Sequence, residues 1–401
     1  IPREDSTEFR NTIEKALPMD PLKRYRQRLR IWSNDQRLEA ERLHYEGLFA
    51  SRRLSVPDEE ALCAACRERF PSLRPKPRGA LKILAVYHDY NWEETALKPA
   101  LQKFGTVYHF DWFRGPGAAA GEWRRSGRPL MNRELLAYAR KLNRGRDLDV
   151  IFTYLSGEQI TPAAMASLNA LGVPIINLAL NDKENFVGKI RGGQALGVRD
   201  ICRFFTLCWT STEDARKKYV VEGALPIYLP EGANPELHRP REGEKTIDVS
   251  FVGQRYGNRP EVVARLAAAG IKAVVRGPGW PDGPLSTEDM VRLYSQSRIN
   301  LGFGGVSGHS DAFCLKGRDF EIPMSGGLYL TEHHPELERV YEIGWEIVTY
   351  RDFDDLLVKI RRLLSNPALA EEIRRRGRER ALRDHSWESR FQKVFAISGV
   401  I

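Results

Sequence analysis

The sequence predicts an α/β protein made of two tandem Rossmann-like, doubly wound domains with an N-terminal helical extension, and three observations carry that expectation. Residues 1–78 read as helix: apolar positions recur at three-to-four spacing through "LRIWSNDQRLEAERLHYEGLFASRRL", and a Pro-rich breaker, "FPSLRPKPRG", ends the segment. From about residue 80 the pattern changes to short β-branched apolar runs, each followed by a polar or helical connection, as strands buried on both faces of a parallel sheet read. After the polar stretch "HRPREGEKT", a hinge linker, the same pattern begins again.

The extension, 1–78, reads either as a docking segment for a partner or membrane, or as a helical pair packed on the next domain. The first domain, 79–240, holds the runs "LKILAVYH", "VYHFDWF", "DLDVIFTYL", "VPIINLAL", "RFFTLCWTS" and "PIYLPEGA". The second, 241–385, holds "IDVSFVGQ", "IKAVVRGP", "RINLGFG", "GLYLT" and "EIVTY", with helices such as "PEVVARLAAAG" and "DDLLVKIRRLL" between them. A chain of 401 residues has room for two or three domains, and 42% hydrophobic residues suit a globular protein. No apolar run approaches the roughly 18–20 residues of a spanning helix, and "IPREDSTEFR" has no signal-peptide core, so the expected location is cytoplasmic. Five cysteines, with a lone "CAAC" lacking a second ligand pair, read as reduced structural thiols. The net charge of +9 suits an anionic partner: nucleotide phosphate, a phospholipid surface or, less well, nucleic acid. The basic run "RRRGRERALR" lies on a helical pattern and reads as a solvated face.

Open parallel sheets bind ligands beyond the carboxyl ends of their strands, so two such domains joined by a short linker frame a cleft suited to a two-substrate reaction. In the second domain "IDVSFVG" ends at Gly253, where a phosphate could approach the backbone, and Arg255 follows as a phosphate ligand or a solvated cation. The spacing is not that of a dinucleotide fingerprint. Farther on, Lys316 and Arg318 lead into a helix whose first turn is expected to hold Glu321, so side-chain cations and a positive helix end point one way, as a diphosphate needs. Glu321 would hold vicinal hydroxyls such as those of a ribose, or simply offset the helix dipole. Gly326-Gly327 would end that helix. In the first domain His88 and Asp89 follow a strand end: a general base with its carboxylate, a substrate contact, or structure. Asn181, Asp182, Lys183 and Glu184 form a second polar cluster at a strand end, suited to an acceptor or to a capped helix start.

In "SFVGQRYGNR", "RDFEIPMSGGLYLTE", "PELERVYEIGWEIVTY" and the closing "HSWESRF" the sequence resembles the glycosyltransferase family named for the spore maturation protein CgeB, over about 247–395 and more weakly over 80–240. The resemblance implies the GT-B architecture, with the acceptor in the first domain, the nucleotide-sugar in the second, and a last helix, 386–401, crossing back to the first. It implies a metal-independent transfer from a nucleoside diphosphate sugar to an unidentified acceptor (saccharide, lipid-linked or protein), with no cofactor. Glu321 carries over as the ribose ligand. Many retaining GT-B transferases hold a second glutamate eight positions earlier, where this chain has Phe313. The sugar would then fall to backbone N–H groups of "GGVSGHSD" with His309, Ser310 or Asp311, and the stereochemistry stays open. The competing expectation is a non-catalytic protein of the same fold that binds nucleic acid or an anionic surface.

Overall fold

The computed structural model describes residues 21–90, 92–113 and 122–401; the first twenty residues of the expected extension lie outside them. Helices α1 (Pro21–Ser51) and α2 (Glu59–Arg69) precede a six-stranded sheet. Its strands are β1 (Leu81–Val86), β2 (Gly105–Phe110), β3 (Val150–Thr153), β4 (Ile175–Ala179), β7 (Leu207–Thr210) and β8 (Pro226–Tyr228), in the order β2-β1-β3-β4-β7-β8 and parallel throughout. A small antiparallel hairpin, β5 (Ile190–Arg191) with β6 (Gln194–Ala195), stands apart from it. Between the strands run α3 (Lys98–Gln102), α4 (Arg128–Leu142), α5 (Pro162–Asn169), α6 (Asp182–Asn185) and α7 (Ala215–Val221).

The second sheet has five parallel strands: β9 (Ile247–Val252), β10 (Ala273–Arg276), β11 (Ser297–Gly302), β12 (Tyr329–Glu332) and β13 (Val348–Tyr350), ordered β10-β9-β11-β12-β13. Its helices are α8 (Arg259–Ala268), α9 (Thr287–Gln296), α10 (Gly317–Met324), α11 (Phe353–Ser365) and α12 (Pro367–Asp384), and α13 (Trp387–Ile397) follows. Several helix starts are written locally: Asp58, Thr161, Ser286, Asp352, Asn366 and Ser386 each accept the backbone N–H three residues on.

Strand alternation divides the first core in two. Leu84 and Val86 of β1 pack on one face with α4, α5 and α7, while Leu81, Ile83 and Ala85 pack on the other. That second face is closed by α13, whose Trp387, Phe391, Val394 and Phe395 lie among Phe104, Phe152 and Trp209. The chain thus leaves the second sheet and ends on the first. At the crossing Arg390 is buried and donates to the Pro230 carbonyl (3.2 Å), the Asp384 carbonyl (2.7 Å) and His385 Nδ1 (2.9 Å). Ala233 N–H donates to the His385 carbonyl at 2.9 Å, and Trp387 N–H to the Ala233 carbonyl at 3.1 Å. The loop after β8 is therefore held against the α12–α13 junction.

Helix α1 packs on α7 and reaches across to the second half. Lys218 donates to Glu41 (2.7 Å), Tyr45 to Glu222 (2.7 Å), and Arg52 to the Val221 carbonyl (2.9 Å). The basic run lies on α12, where Arg375 pairs with Glu372 and Glu379, Arg376 with Glu372, and Arg380 and Arg383 with Asp384. These are neighbours three or four places apart, or adjacent, on one helix, so the charge is offset locally. No described helix is long and apolar enough to cross a membrane.

Candidate functional site

In the second sheet the strand order reverses direction between β9 and β11, and the loops leaving these strands meet there. A Cβ at Gly253 would stand 2.8 Å from Arg318 Nη2 and 2.7 Å from the Phe251 ring, so the glycine leaves room for the guanidinium. Arg318 lies over Phe251, 5.4 Å from the ring centroid. Lys316 Nζ donates to the carbonyls of Gly304 (2.9 Å) and Gly305 (3.0 Å), fixing the loop after β11. Arg255 is exposed and leans over Trp280, whose indole N–H donates to the Gly253 carbonyl at 2.9 Å. Beneath them Arg259, buried and without a signal in the sequence to mark it, donates to the Gln254 carbonyl (2.7 Å) and the Tyr256 hydroxyl (2.8 Å). Burial, and then the charge of Arg318, push its pKa down to about 10. It stacks 3.8 Å from the Tyr256 ring centroid and shapes the loop that carries Arg255.

The helix start differs from expectation. α10 begins at Gly317, so Arg318 is its second residue and Asp319, not Glu321, is the first-turn acid. The reason is local: Lys316, in extended conformation, is the N-cap and donates its N–H to Asp319 Oδ2 at 2.6 Å, while Asp319 Oδ1 accepts from the Tyr329 hydroxyl. The dipole-balancing role falls to Asp319. Glu321 sits two residues later, with its side chain 18% exposed and Oε1 3.9 Å from buried His238 Nε2. Burial raises its pKa to about 7 against the opposing charge of Arg318. The glycine pair behaves as expected, Gly326 (φ 72°) following the helix end in the left-handed region.

Glu231, for which nothing in "PIYLPEGA" signals a role, lies beside Glu321. A Cβ on Gly317 would meet Glu321 Oε1 at 3.1 Å and Glu231 Oε2 at 3.2 Å, so two carboxylates converge on the first residue of α10. Burial, then the charges of Glu321 and Asp319, raise the Glu231 carboxyl to about 8 against the pull of Lys316 and Arg318.

The loop expected to hold the sugar is covered by α1. His309 Nδ1 lies 2.8 Å from Asp35 Oδ1, Ser310 donates to Asp35 Oδ2 through its hydroxyl (2.7 Å) and its N–H (3.2 Å), and Asn34 donates to the Gly308 carbonyl (3.0 Å). Asp311 accepts from the Ser310 hydroxyl and, with Ser310, borders a cavity of about 720 Å³ between α1 and the start of α7.

On the opposite side, the carboxyl ends of β1, β3 and β4 open into a cavity of about 570 Å³. Tyr90, Trp92, Trp112 and Tyr154 line it, with amides from Gln159 and Asn181. His88 adjoins this wall, its ring centroid 4.8 Å from Tyr90 and 5.4 Å from Trp112. Its carboxylate partner is Asp111, at the end of β2, with both oxygens 3.1 Å from Nδ1. Asp89 is exposed and accepts the Glu94 N–H (3.3 Å), because neighbours along an extended chain point to opposite sides. Of the 181–184 cluster, Asn181 reaches the cavity and makes no side-chain cap bond to α6. Asp182 also borders the cavity, but its carboxyl is buried, accepts from the Tyr219 hydroxyl at 2.8 Å, and is raised by burial to about 6. Lys183 crosses to the second half, donating to the Phe313 carbonyl and to Glu336 (2.7 Å), and burial raises the Glu184 carboxyl. Among the described residues no three His, Cys, Asp or Glu side chains are grouped to hold a metal ion.

Residues 259–396 match the model of a family described as glycosyl transferase-like. No curated protein matches the sequence. Sucrose-phosphate synthase from Thermosynechococcus elongatus is similar over 79% of this chain and 100% of its own, at 13% identity and a TM-score of 0.56. A glycosyltransferase from Rickettsia africae is similar over 79% and 98%, at 11% identity and 0.55. HepE of Anabaena, solved with UDP-glucose, is similar over 80% and 100%, at 12% identity and 0.53. The chain has the GT-B fold, and the matched domain makes it a transferase enzyme.

Proposed function

We propose that this chain transfers a sugar from a nucleoside diphosphate sugar to an acceptor bound against the first sheet, without a metal ion, and that it is a CgeB-like member of the glycosyltransferases. The observation that carries the reading is the convergence of Lys316, Arg318, the N-terminal end of α10 and the loop of Arg255 on one strand-end crevice. Fixed cations and a helix end neutralise the negative charge that grows on a departing diphosphate, and they need no reorganisation to do so. Glu321 accepts from the ribose hydroxyls. The UDP-glucose complex of HepE, a structure of similar fold, supports the donor class.

His88 is the proposed base, with Asp111 in the place expected of Asp89. Asp111 at Nδ1 orients the ring and leaves Nε2 to take the acceptor proton. As that proton moves to His88, the acceptor oxygen bonds to the anomeric carbon, the bond from that carbon to the diphosphate oxygen breaks, and the electron pair leaves with the diphosphate. The loop from Gly308 to Asp311 stays a proposed sugar contact, reached after α1 yields.

A thermal-stability panel of nucleoside diphosphates, with chelator and then with magnesium or manganese, tests the reading. One nucleotide should stabilise the protein in chelator; a hundredfold excess over Kd gives about 2.7 kcal/mol. Binding that appears only with added metal removes the metal-free mechanism, and no binding of any nucleotide removes the donor assignment.

A further inference from the structure

We propose that Glu231 contacts the hydroxyls of the transferred sugar and so selects the donor, an inference that rests on the glycosyl-transfer reading above. In any such transfer the sugar lies between two partners: it is bonded to the diphosphate on one side and attacked by the acceptor on the other. A residue that faces both partners' sites therefore faces the sugar. Glu231 does so. Toward the donor side its Oε2 reaches within 3.2 Å of the Cβ position of Gly317, beside Glu321 and in the field of Lys316 and Arg318. Toward the acceptor side it belongs to the loop that leaves the carboxyl end of β8, on the same edge of the first sheet whose strand ends open into the aromatic cavity.

Its placement is rigid and its oxygens are available. The loop 229–233 is held by Arg390 and by the two backbone bonds between Ala233 and the α12–α13 junction. Gly232 has no room for a side chain, since a Cβ would stand 2.7 Å from the Trp387 nitrogen. Among the described residues no hydrogen bond is directed to the Glu231 carboxyl. A carboxyl held in a fixed place and lacking a protein donor is a ready acceptor for sugar O–H groups, and, when protonated, a donor as well. Discrimination by such a group is strong, because a sugar lacking the matching hydroxyl leaves the carboxyl unpaired. Glu321, held by its own helix beside the diphosphate cations, keeps the ribose; Glu231, held by the interdomain loop, takes the sugar beyond it.

Isothermal titration of the full chain with UDP and UDP-glucose, and with GDP and GDP-mannose as a second pair, tests this. In the pair that binds, Glu231→Ala should weaken the nucleotide-sugar roughly ten- to a hundredfold and change the nucleoside diphosphate by less than about twofold. Unchanged diphosphate affinity also shows that the variant is folded. A donor analogue lacking one sugar hydroxyl should reproduce the loss in the wild-type chain and lose nothing further in Glu231→Ala. Equal losses for diphosphate and sugar nucleotide, no loss for either, or full additivity with every deoxy analogue overturns the assignment while leaving glycosyl transfer intact. If neither pair binds, the comparison is made with the nucleotide that the stability panel selects, and if no nucleoside diphosphate binds the wild-type chain, the glycosyl-transfer reading fails and this assignment falls with it.

Discussion

The two faces of the cleft share a topology and differ in chemistry. Each is the carboxyl edge of a parallel sheet whose order turns back at its first strand. The first presents four aromatic residues around a cavity of about 570 Å³, with the His88–Asp111 pair beside two of them. The second presents Arg255, Lys316 and Arg318 around loops rich in glycine, with Arg259 buried below. The sheet decides where a ligand sits; the loops decide what it is. Rings suit the apolar faces of a neutral acceptor, and fixed cations suit a diphosphate.

That contrast predicts which substitutions act on which ligand. The largest effect belongs to the first face: His88→Ala should lower turnover roughly 10²–10⁴-fold with donor Kd unchanged. Asp111→Asn should lower it too, and Asp89→Asn should leave it near normal; steady-state kinetics with isothermal titration separates the three. Equal turnover in all would take His88 out of the mechanism.

On the second face, Lys316→Ala and Arg255→Ala should weaken a nucleoside diphosphate by about 1.5–3 kcal/mol and the bare nucleoside far less, since only the former carries the charge they meet. Glu321→Ala should weaken both ligands alike, because both carry the ribose. A cation variant that loses affinity for the nucleoside as well would erase the division of labour. Smaller still, Trp112→Ala should weaken acceptor binding by about 0.5–1.5 kcal/mol beyond the area it exposes, seen as a raised acceptor KM with donor titrations unmoved.

The smallest effect is on stability. Glu321 and Glu231 hold their protons up to about pH 7 and 8 when folded, and release them near 4.3 when unfolded. The native state therefore binds more protons across that window, and these groups lower stability as pH rises through it. Buried His238, His334 and His385, whose pKa values lie below the usual histidine range, act in the opposite sense below about pH 6.5. Between pH 6.5 and 8, Glu321→Gln should lose less stability than the wild-type chain in urea titrations. A parallel decline would show that Glu321 is already ionised at neutral pH.

The strands were legible because apolar runs such as "IINLA" and "INLG" are buried on both faces and need no partner to be recognised. Lys316, Arg318 and Gly253 were legible because cations and glycine at a strand end have local chemical meaning. What escaped depends on distance. Asp111 joins His88 across the β1–β2 pairing, and Glu231 meets Glu321 from the loop that follows β8 of the first sheet. The misplaced helix start had a local signal, a lysine followed three residues on by Asp319, but its strength comes from Tyr329, on the next strand. Asp35 lies 274 residues before His309, and no pattern in either segment announces their contact.

That contact has a mechanical consequence. α1 is a rod of 31 residues, roughly 46 Å long, anchored on α7 through Glu41 and Tyr45 and pinned to the glycine-rich loop through Asn34 and Asp35. A helix held at two points, to the loop at Asn34 and Asp35 and to α7 at Glu41 and Tyr45, couples cleft width to loop position: the halves cannot swing apart unless the loop is pulled along or the pin at Asp35 breaks. Asp35→Ala should uncouple the two, seen as faster amide hydrogen exchange at 306–311 with the exchange of the strands unchanged. In the intact chain, a substrate that shifts the loop must also push on α1, so work done at the sugar end of the cleft is felt along the back of the first domain.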